Sequence, residues 1–200
     1  DSRNQRIVEV DSSGNFVREF KPRDGFDEPT KLQANRRNEI LVLDSEKERI
    51  VVFNNFGSQV FSIGGYGTGD HRFVKLVDFL VDFEDNLVCL DQLEKVSLIK
   101  KYSRNGRLLK KRTVQGRYEI IARDYWGHIL LLGESELKIL DSQLRSVKQL
   151  FNKPKHLLNA ASITHMDNKK LYSLHNNPAM VKVFNPRLTL LQSKISLRKK

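Results

Sequence analysis

A chain of 200 residues that is 39% hydrophobic and 30% charged has the composition of an ordered protein able to bury one sizeable core or a row of small repeat cores. Its longest apolar stretches, such as Ile129-Leu130-Leu131-Leu132 and Ile40-Leu41-Val42-Leu43, fall far short of the roughly 20 residues that a membrane-spanning helix needs, so no membrane span is expected. The single cysteine, Cys89, excludes an intrachain disulfide and a thiolate metal cluster, and its setting in Leu87-Val88-Cys89-Leu90 marks it as a small buried hydrophobe. The chain begins at Asp1 with no signal-like apolar run, as in a trimmed, processed or partial chain, which leaves localisation open.

Taken in chain order, the elements repeat. Asp1-Ser2 precedes Arg6-Ile7-Val8-Glu9-Val10, a turn at 11–15 and a strand at 16–20. The same order returns as Ile40-Leu41-Val42-Leu43-Asp44-Ser45, then Arg49-Ile50-Val51-Val52-Phe53, then a turn with Gly57. Asp1 to Asp44, Arg6 to Arg49 and Gly14 to Gly57 are each 43 positions apart. A third copy ends its first strand at Asp91, 47 positions after Asp44, and continues through 96–102 to the turn at 103–106. Two worn copies follow, in which Gly133 and His175 stand at the strand-end position, each 42 positions after the one before. The loss of Asp there is expected to leave the later turns less fixed.

Each period reads as four short strands separated by turns rich in Asn, Gly and Asp, with one strand, such as 77–82 or 119–123, ahead of the polar turn. Helical periodicity is nearly absent; 156–161 is the one stretch with room for a turn of helix. The fold class is therefore all-β, and a repeat of 40 to 45 residues with four antiparallel strands is the size of a β-propeller blade. The blades are expected at 21–64, 65–110, 111–152 and 153–191, the last two degenerate, with a trailing half blade at 1–20 and a closing strand or basic tail at 192–200, all within one propeller domain.

The run Ile40-Leu41-Val42-Leu43-Asp44-Ser45, Arg49-Ile50-Val51-Val52-Phe53 and Gly57 resembles the NHL repeat, with its strand ending in Val-x-Asp, its Arg-Ile-x-x-Phe strand and its glycine turn. The segment from Phe61 to Phe73, with Gly64, Gly65, Gly67 and Gly69, is similar to the glycine-rich connection between blades in such proteins. The resemblance is strong over 1–109 and weak beyond, and implies a six-bladed propeller. It assigns Asp44 and Arg49 a structural role, as a pair flanking one turn or as partners of turn amides. About four and a half repeats fall short of six blades, so a fragment or truncated ring is expected. Ser193-Lys194-Ile195-Ser196-Leu197 is a candidate to close the N-terminal half blade, and open blade edges invite oligomerisation.

Charge carries the strongest functional signal. The first hundred residues hold 14 Lys and Arg against 18 Asp and Glu, a net −4, and the second hundred hold 21 against 6, a net +15. This asymmetry favours a polyanionic partner such as RNA. The candidate binding residues are Lys100, Lys101, Arg104, Arg107, Lys110, Lys111, Arg112, Lys153, Lys155, Lys169 and Lys170, with Arg198-Lys199-Lys200 as a basic tail. Tyr102, Tyr118, Tyr125, Trp126 and Tyr172 have the chemistry to stack on bases. Against that, Tyr102 takes the place of Phe53 and is assigned to the core, and Trp126 is assigned to the space between blades.

Signals for catalysis are weaker. No histidine pair has HExxH or HxH spacing, there is no Gly-x-Ser-x-Gly elbow and no phosphate loop, and the glycines at 64–69 are assigned to a turn because no helical pattern follows them. Some propeller relatives hold a metal in the central channel, for which His128, His165 and His175 are the candidates here. Asp82, Glu84 and Asp85 have the chemistry of calcium ligands, and an Asp-rich hairpin turn accounts for them equally. The reading is thus a non-catalytic binding or scaffold propeller with a protein partner and no cofactor. RNA or polyanion binding is the first alternative and a channel-metal lyase or hydrolase the second.

Overall fold

Near-continuous apolar runs of four to six residues bounded by turn residues form strands buried on both faces, and such runs recur along this chain. The computed structural model describes residues 1–150, 157, 160–165, 170–176, 179–185 and 190–194. Among these are eighteen β-strands and a 3-10 turn at Ser2–Asn4. An N-terminal pair, β1 (Ile7–Val10) and β2 (Phe16–Phe20), stands as a two-stranded sheet. Four four-stranded antiparallel sheets follow. The first holds β3 (Pro29–Ala34), β4 (Ile40–Asp44), β5 (Arg49–Phe53) and β6 (Gln59–Gly64), and the second β7 (Leu76–Val81), β8 (Leu87–Gln92), β9 (Val96–Tyr102) and β10 (Leu108–Gln115). The third holds β11 (Tyr118–Arg123), β12 (Ile129–Gly133), β13 (Leu137–Leu140) and β14 (Ser146–Leu150), and the fourth β15 (Ala160–His165), β16 (Leu171–Asn176), β17 (Ala179–Phe184) and β18 (Leu190–Lys194). In every sheet the strands pair in chain order, the up-and-down pattern of a propeller blade.

The chain divides into two compact units, 1–93 with 98–111, and 94–97 with 112–200. In the first unit, alternation along β4 and β5 sends side chains into two cores. Leu41, Leu43, Ile50 and Val52 join Phe79, Val81, Leu87, Cys89 and Tyr102 of the second sheet, whereas Val42, Val51 and Phe53 pack with Phe20 and Phe26. Phe20 meets Phe53 edge to face at 5.7 Å. Burial of one such phenyl ring contributes about 1.5–3 kcal/mol. In the second unit, Ile120, Leu130, Leu132, Leu137, Leu157, Ile163, Leu171 and Phe184 form one core.

One turn design is used seven times among the described residues, at 11–15, 35–39, 54–58, 82–86, 103–107, 124–128 and 141–145. In each, the first and fifth residues are joined by the fifth carbonyl and the first amide, and the fourth amide donates to the first carbonyl. The fourth residue has positive φ: Gly14, Asn38, Gly57, Asp85, Gly106, Gly127 and Leu144. The first residue is Asp, Asn or Ser, and its side-chain oxygen accepts turn amides; Asp124 Oδ1, for example, takes the Trp126 and His128 amides at 2.9 and 2.8 Å. This is a three-residue hairpin connection with a left-handed fourth position, and it accounts for the register shifts beside β2, β6 and β14. Leu144 is the departure, a fully buried leucine at φ 61°.

Of the 156–161 stretch considered for a turn of helix, Leu157 has 3-10 geometry and Ala160 and Ala161 begin β15; 156, 158 and 159 lie outside the described residues. Ser193 and Lys194, from the segment proposed to close the N-terminal pair, instead end β18 and pair with Lys182 and Val181 of β17; 195–197 lie outside the described residues.

Candidate functional site

The strand-end aspartates form two copies of one buried clamp. Asp44 Oδ1 accepts the amides of Asp27 and Glu28 at 3.1 and 2.8 Å, which fixes the chain entering β3, and Oδ2 lies 3.2 Å from the Arg49 guanidinium. Arg49 also reaches Asp24 at 2.7 Å and donates to the Gly25 carbonyl, and its hydrogen bond holds the Asp24 carboxyl below the ordinary range. Asp91 repeats the arrangement. Its Oδ1 takes the amides of Val74 and Lys75 at 2.9 Å, and its Oδ2 lies 3.3 Å from Lys100 Nζ. The cation now comes from the strand position that Val51 fills in the preceding copy, a substitution that repeat alignment does not reveal. Asp44, Asp91, Gly133 and His175 all occupy the same register, opposite Pro29, Leu76, Tyr118 and Ala160. Where Gly133 lacks the carboxylate, the Ser97 hydroxyl takes the Tyr118 amide and donates to the Gly116 carbonyl, each at 3.1 Å. His175 is buried, with Nε2 2.8 Å from the Ser173 hydroxyl.

Two residues of the expected polyanion surface are buried, one of them by the Asp91 clamp. Lys100 is fully buried, donating to the carbonyls of Gly69 and Arg72 beside Asp91 and lying 4.7 Å from the Phe73 ring centroid. Lys101 is buried against Asp82 at 2.8 Å. A lysine pair inside a strand necessarily points to both faces, and here each face is a core. Lys111 is exposed and paired with Asp70 at 2.7 Å, whose carboxyl it holds down. Arg112 is half-buried and donates to the Leu144 carbonyl and, at 3.0 Å, the Ser146 hydroxyl. Arg104, Arg107, Lys110 and Lys170 are exposed. Lys153, Lys155 and Lys169, and the tail at 198–200, lie outside the described residues.

Of the aromatic candidates, Tyr102 and Tyr118 are core residues, and burial pushes both hydroxyls well above their ordinary range. Tyr172 is half-buried. Trp126, assigned to the space between blades, faces solvent instead, 57% exposed at the third position of its turn and edge to face with Tyr125 at 6.1 Å. Phe56 holds the same position in the turn at 54–58 and is 77% exposed. In the glycine-rich connection, Arg72 donates to the Gly64 carbonyl, and a Cβ on Gly64, at φ 126°, would stand 2.3 Å from the Glu48 carbonyl. The segment is a packed turn.

Of the residues considered for metal binding, His128 and the acids at 82 and 85 are engaged locally. His128 Nδ1 lies 2.7 Å from Asp124 within its own turn, and His165 lies on β15. Asp82 accepts the amides of Glu84 and Asn86 on Oδ1 and pairs with Lys101 through Oδ2, while Asp85 Oδ1 accepts the Arg36 amide. Among the described residues no group of three or more His, Cys, Asp or Glu is arranged to hold a metal ion.

In a sheet that pairs in chain order, the first and third turns leave from the same end. Between the two such turns of the second sheet, 82–86 and 103–107, lies an open cleft of about 540 Å³ lined by Glu84, Asn86, Ser103, Arg104, Asn105 and Arg107. Beside it, Arg36 from the turn at 35–39 lies over the Phe83 ring at 5.8 Å. Sequence reading placed Arg104 and Arg107 in a general basic surface and missed that the repeated turn sets them opposite Glu84; the recurring pattern of Asp, Asn or Ser with Gly, Asn or Asp three residues later was the available signal.

Comparison with known proteins places this architecture. The model of the DUF5128 family, described as a 6-bladed beta-propeller, matches residues 26–115. No curated protein matches the sequence. Among solved structures, a protein of unknown function from Bacteroides caccae shares 14% identity at a TM-score of 0.67, over 95% of this chain and 69% of that one. A catalytically inactive virginiamycin B lyase from Staphylococcus aureus with quinupristin shares 8% identity at a TM-score of 0.70, over 99% of this chain and 65% of the lyase. The WD40 domain of Neurospora crassa Pan2 shares 12% identity at 0.61, over 83% of this chain and 49% of that one. The fold is a β-propeller, and the chain spans about two thirds of the length of the lyase. No helix among the described residues is long and apolar enough to cross a membrane.

Proposed function

We propose that this chain is a non-catalytic binding propeller that engages a protein partner through its turns. The observation that supports this reading is the sevenfold use of one hydrogen-bonded turn whose second and third residues differ in chemistry every time: Ser12-Ser13, Arg36-Arg37, Asn55-Phe56, Phe83-Glu84, Arg104-Asn105, Tyr125-Trp126 and Ser142-Gln143. Binding residues are carried disproportionately on loops held by a rigid scaffold, and exposed Phe and Trp at such positions are the residue types that anchor protein interfaces. The buried acids and bases, by contrast, are spent on internal clamps.

The test is a peptide array probed with the labelled full chain, beside the variants Phe56→Ser and Trp126→Ser. Saturable binding to a subset of peptides that these variants weaken, with unchanged thermal unfolding, is the expected result. Incubation with quinupristin, the compound named with the inactive lyase, and analysis by chromatography is the companion experiment. Turnover there, or an array with no saturable binding, overturns the reading. The polyanion alternative draws on the +15 charge of the second hundred residues, and strong salt dependence of single-stranded RNA binding would select it.

A further inference from the structure

The cleft between the turns at 82–86 and 103–107 has an uncommon charge arrangement. Asp82, the half-buried acid beside it, is neutralised by Lys101 at 2.8 Å. Glu84 is exposed, yet its carboxylate is held in place by the buried Asn86, whose Nδ2 donates to Glu84 Oε2 at 3.0 Å and to Asp82 Oδ2 at 3.1 Å. On the opposite turn stand the exposed Arg104 and Arg107, neither of which lies within ion-pair distance of a carboxylate among the described residues. Two cations and a carboxylate thus line one cleft without neutralising each other. Each turn is closed on itself: Asp82 Oδ1 accepts the Glu84 and Asn86 amides on one side, and Ser103 Oγ accepts the Arg107 amide at 3.2 Å on the other.

We infer that this cleft receives an acidic peptide segment, the ligand's carboxylates on Arg104 and Arg107 and a backbone N–H on Glu84. The inference rests on the binding reading above and names the chemistry of the partner at one site. Guanidinium forks match carboxylates in bidentate geometry, and Ser103 and Asn105 offer the neutral donors and acceptors that a peptide backbone uses. A volume of about 540 Å³ lies within the range of ligand clefts. Two features favour a peptide over a nucleic acid. Phe83, the aromatic ring beside the cleft, already carries Arg36 over one face, which takes that face from base stacking. Glu84 repels phosphates and peptide carboxylates alike, but a peptide backbone also offers it an N–H donor, which a phosphate backbone lacks.

The experiment is fluorescence anisotropy of a labelled alternating Glu-Gly peptide with the full chain at physiological salt, with single-stranded RNA as competitor. The double variant Arg104→Ala/Arg107→Ala is expected to weaken binding by about tenfold or more, while Lys110→Ala changes it less than about twofold. Glu84→Gln separates the two classes of ligand. Removal of its negative charge relieves repulsion of either anionic ligand, but for the peptide it also replaces a charge-assisted N–H acceptor with a weaker amide oxygen, so RNA tightens while the peptide shows a net weakening. Weakening in both the arginine and the Glu84 variants supports the inference. Unchanged affinity in the arginine variant, tighter binding in Glu84→Gln, or displacement by RNA at equal charge concentration overturns it. Peptides that bind the array through Phe56 or Trp126 while the acidic probe fails would leave the binding reading standing and remove only the cleft assignment; failure of both removes both.

Discussion

Replacement of Asp91 by alanine tests the energetic meaning of the buried clamps. In the folded chain Asp91 takes two amide hydrogens at 2.9 Å and faces Lys100 at 3.3 Å, with side-chain exposures of 1% and 0%. Truncation leaves the Val74 and Lys75 amides without their acceptor, at about 1–3 kcal/mol each where buried. It also leaves an ammonium whose remaining partners are the Gly69 and Arg72 carbonyls and the Phe73 ring. Removal of one member of a buried pair costs about 3–5 kcal/mol, and because the losses overlap, about 4 kcal/mol is the expected total. Asp44→Ala removes the same two-amide clamp, but Arg49 keeps Asp24 and the Gly25 carbonyl at 2.7 Å each and is 12% exposed, so about 2–3 kcal/mol is expected there. Urea unfolding followed by circular dichroism compares the two variants, and hydrogen exchange reads the 74 and 75 amides directly. An Asp91→Ala cost no greater than that of Asp44→Ala, with amides 74 and 75 still protected, would refute the reasoning.

Gly64→Ala drives a Cβ to 2.3 Å from the Glu48 carbonyl at a φ of 126°, and a loss of about 1–3 kcal/mol in urea unfolding is expected. Trp126→Ser, at a position 57% exposed, is expected to change stability by no more than about 0.5 kcal/mol while weakening peptide binding. Glu48 is raised above 4.5 by burial, which outweighs its bond from the Leu76 amide. Its charged form therefore costs stability at neutral pH, and that cost is relieved as pH falls through the raised value and is gone below 4.5; Glu48→Gln should flatten this part of the stability–pH curve. Asp82 behaves oppositely. Burial raises it, but Lys101 and Asn86 more than compensate, so its value is lowered, and the stability it contributes above 3.8 is lost as pH falls through the lowered value; Asp82→Asn should remove that acid-side loss.

The period of 43 was legible because strand ends and turns need particular residues: Asp at the clamp, Arg five positions on, and Gly where φ is positive. Propeller blades and the Asp44–Arg49 pair follow from that, and the pair is present at 3.2 Å. What escaped was set by the third dimension. Lys100 looked like a surface charge because it sits in a basic run, but the Asp91 clamp lacks an arginine at the usual place and draws its cation from a core position. Trp126 looked like filler because aromatic bulk usually is, but the turn at 124–128 is closed by Asp124 and Gly127, which leaves the third residue pointing away from the sheet. Leu144 in a left-handed position could not be anticipated from residue preference; its burial and the bond from Arg112 to its carbonyl hold it there.

The same turn shows why a binding surface can vary on this scaffold without cost to the fold. The first residue supplies the side-chain acceptor, the fourth supplies the positive φ, and the fifth returns the backbone to the sheet. The third residue enters the first residue's network through its backbone, as the amides of Arg37, Phe56, Glu84, Trp126 and Gln143 each donate to the first side chain, and Glu84 adds a side-chain bond from Asn86. A backbone amide is common to every residue except proline, so the tip accepts phenylalanine, arginine, glutamate or tryptophan with the hydrogen bonding intact. The clamps and the turns thus separate two tasks: buried Asp44 and Asp91 hold the strands in register, and the turn tips are left to carry recognition. A proline at Phe56 or Trp126 would be the exception that joins them, since it removes a bonded amide, and it should cost about 1–3 kcal/mol where serine costs almost nothing.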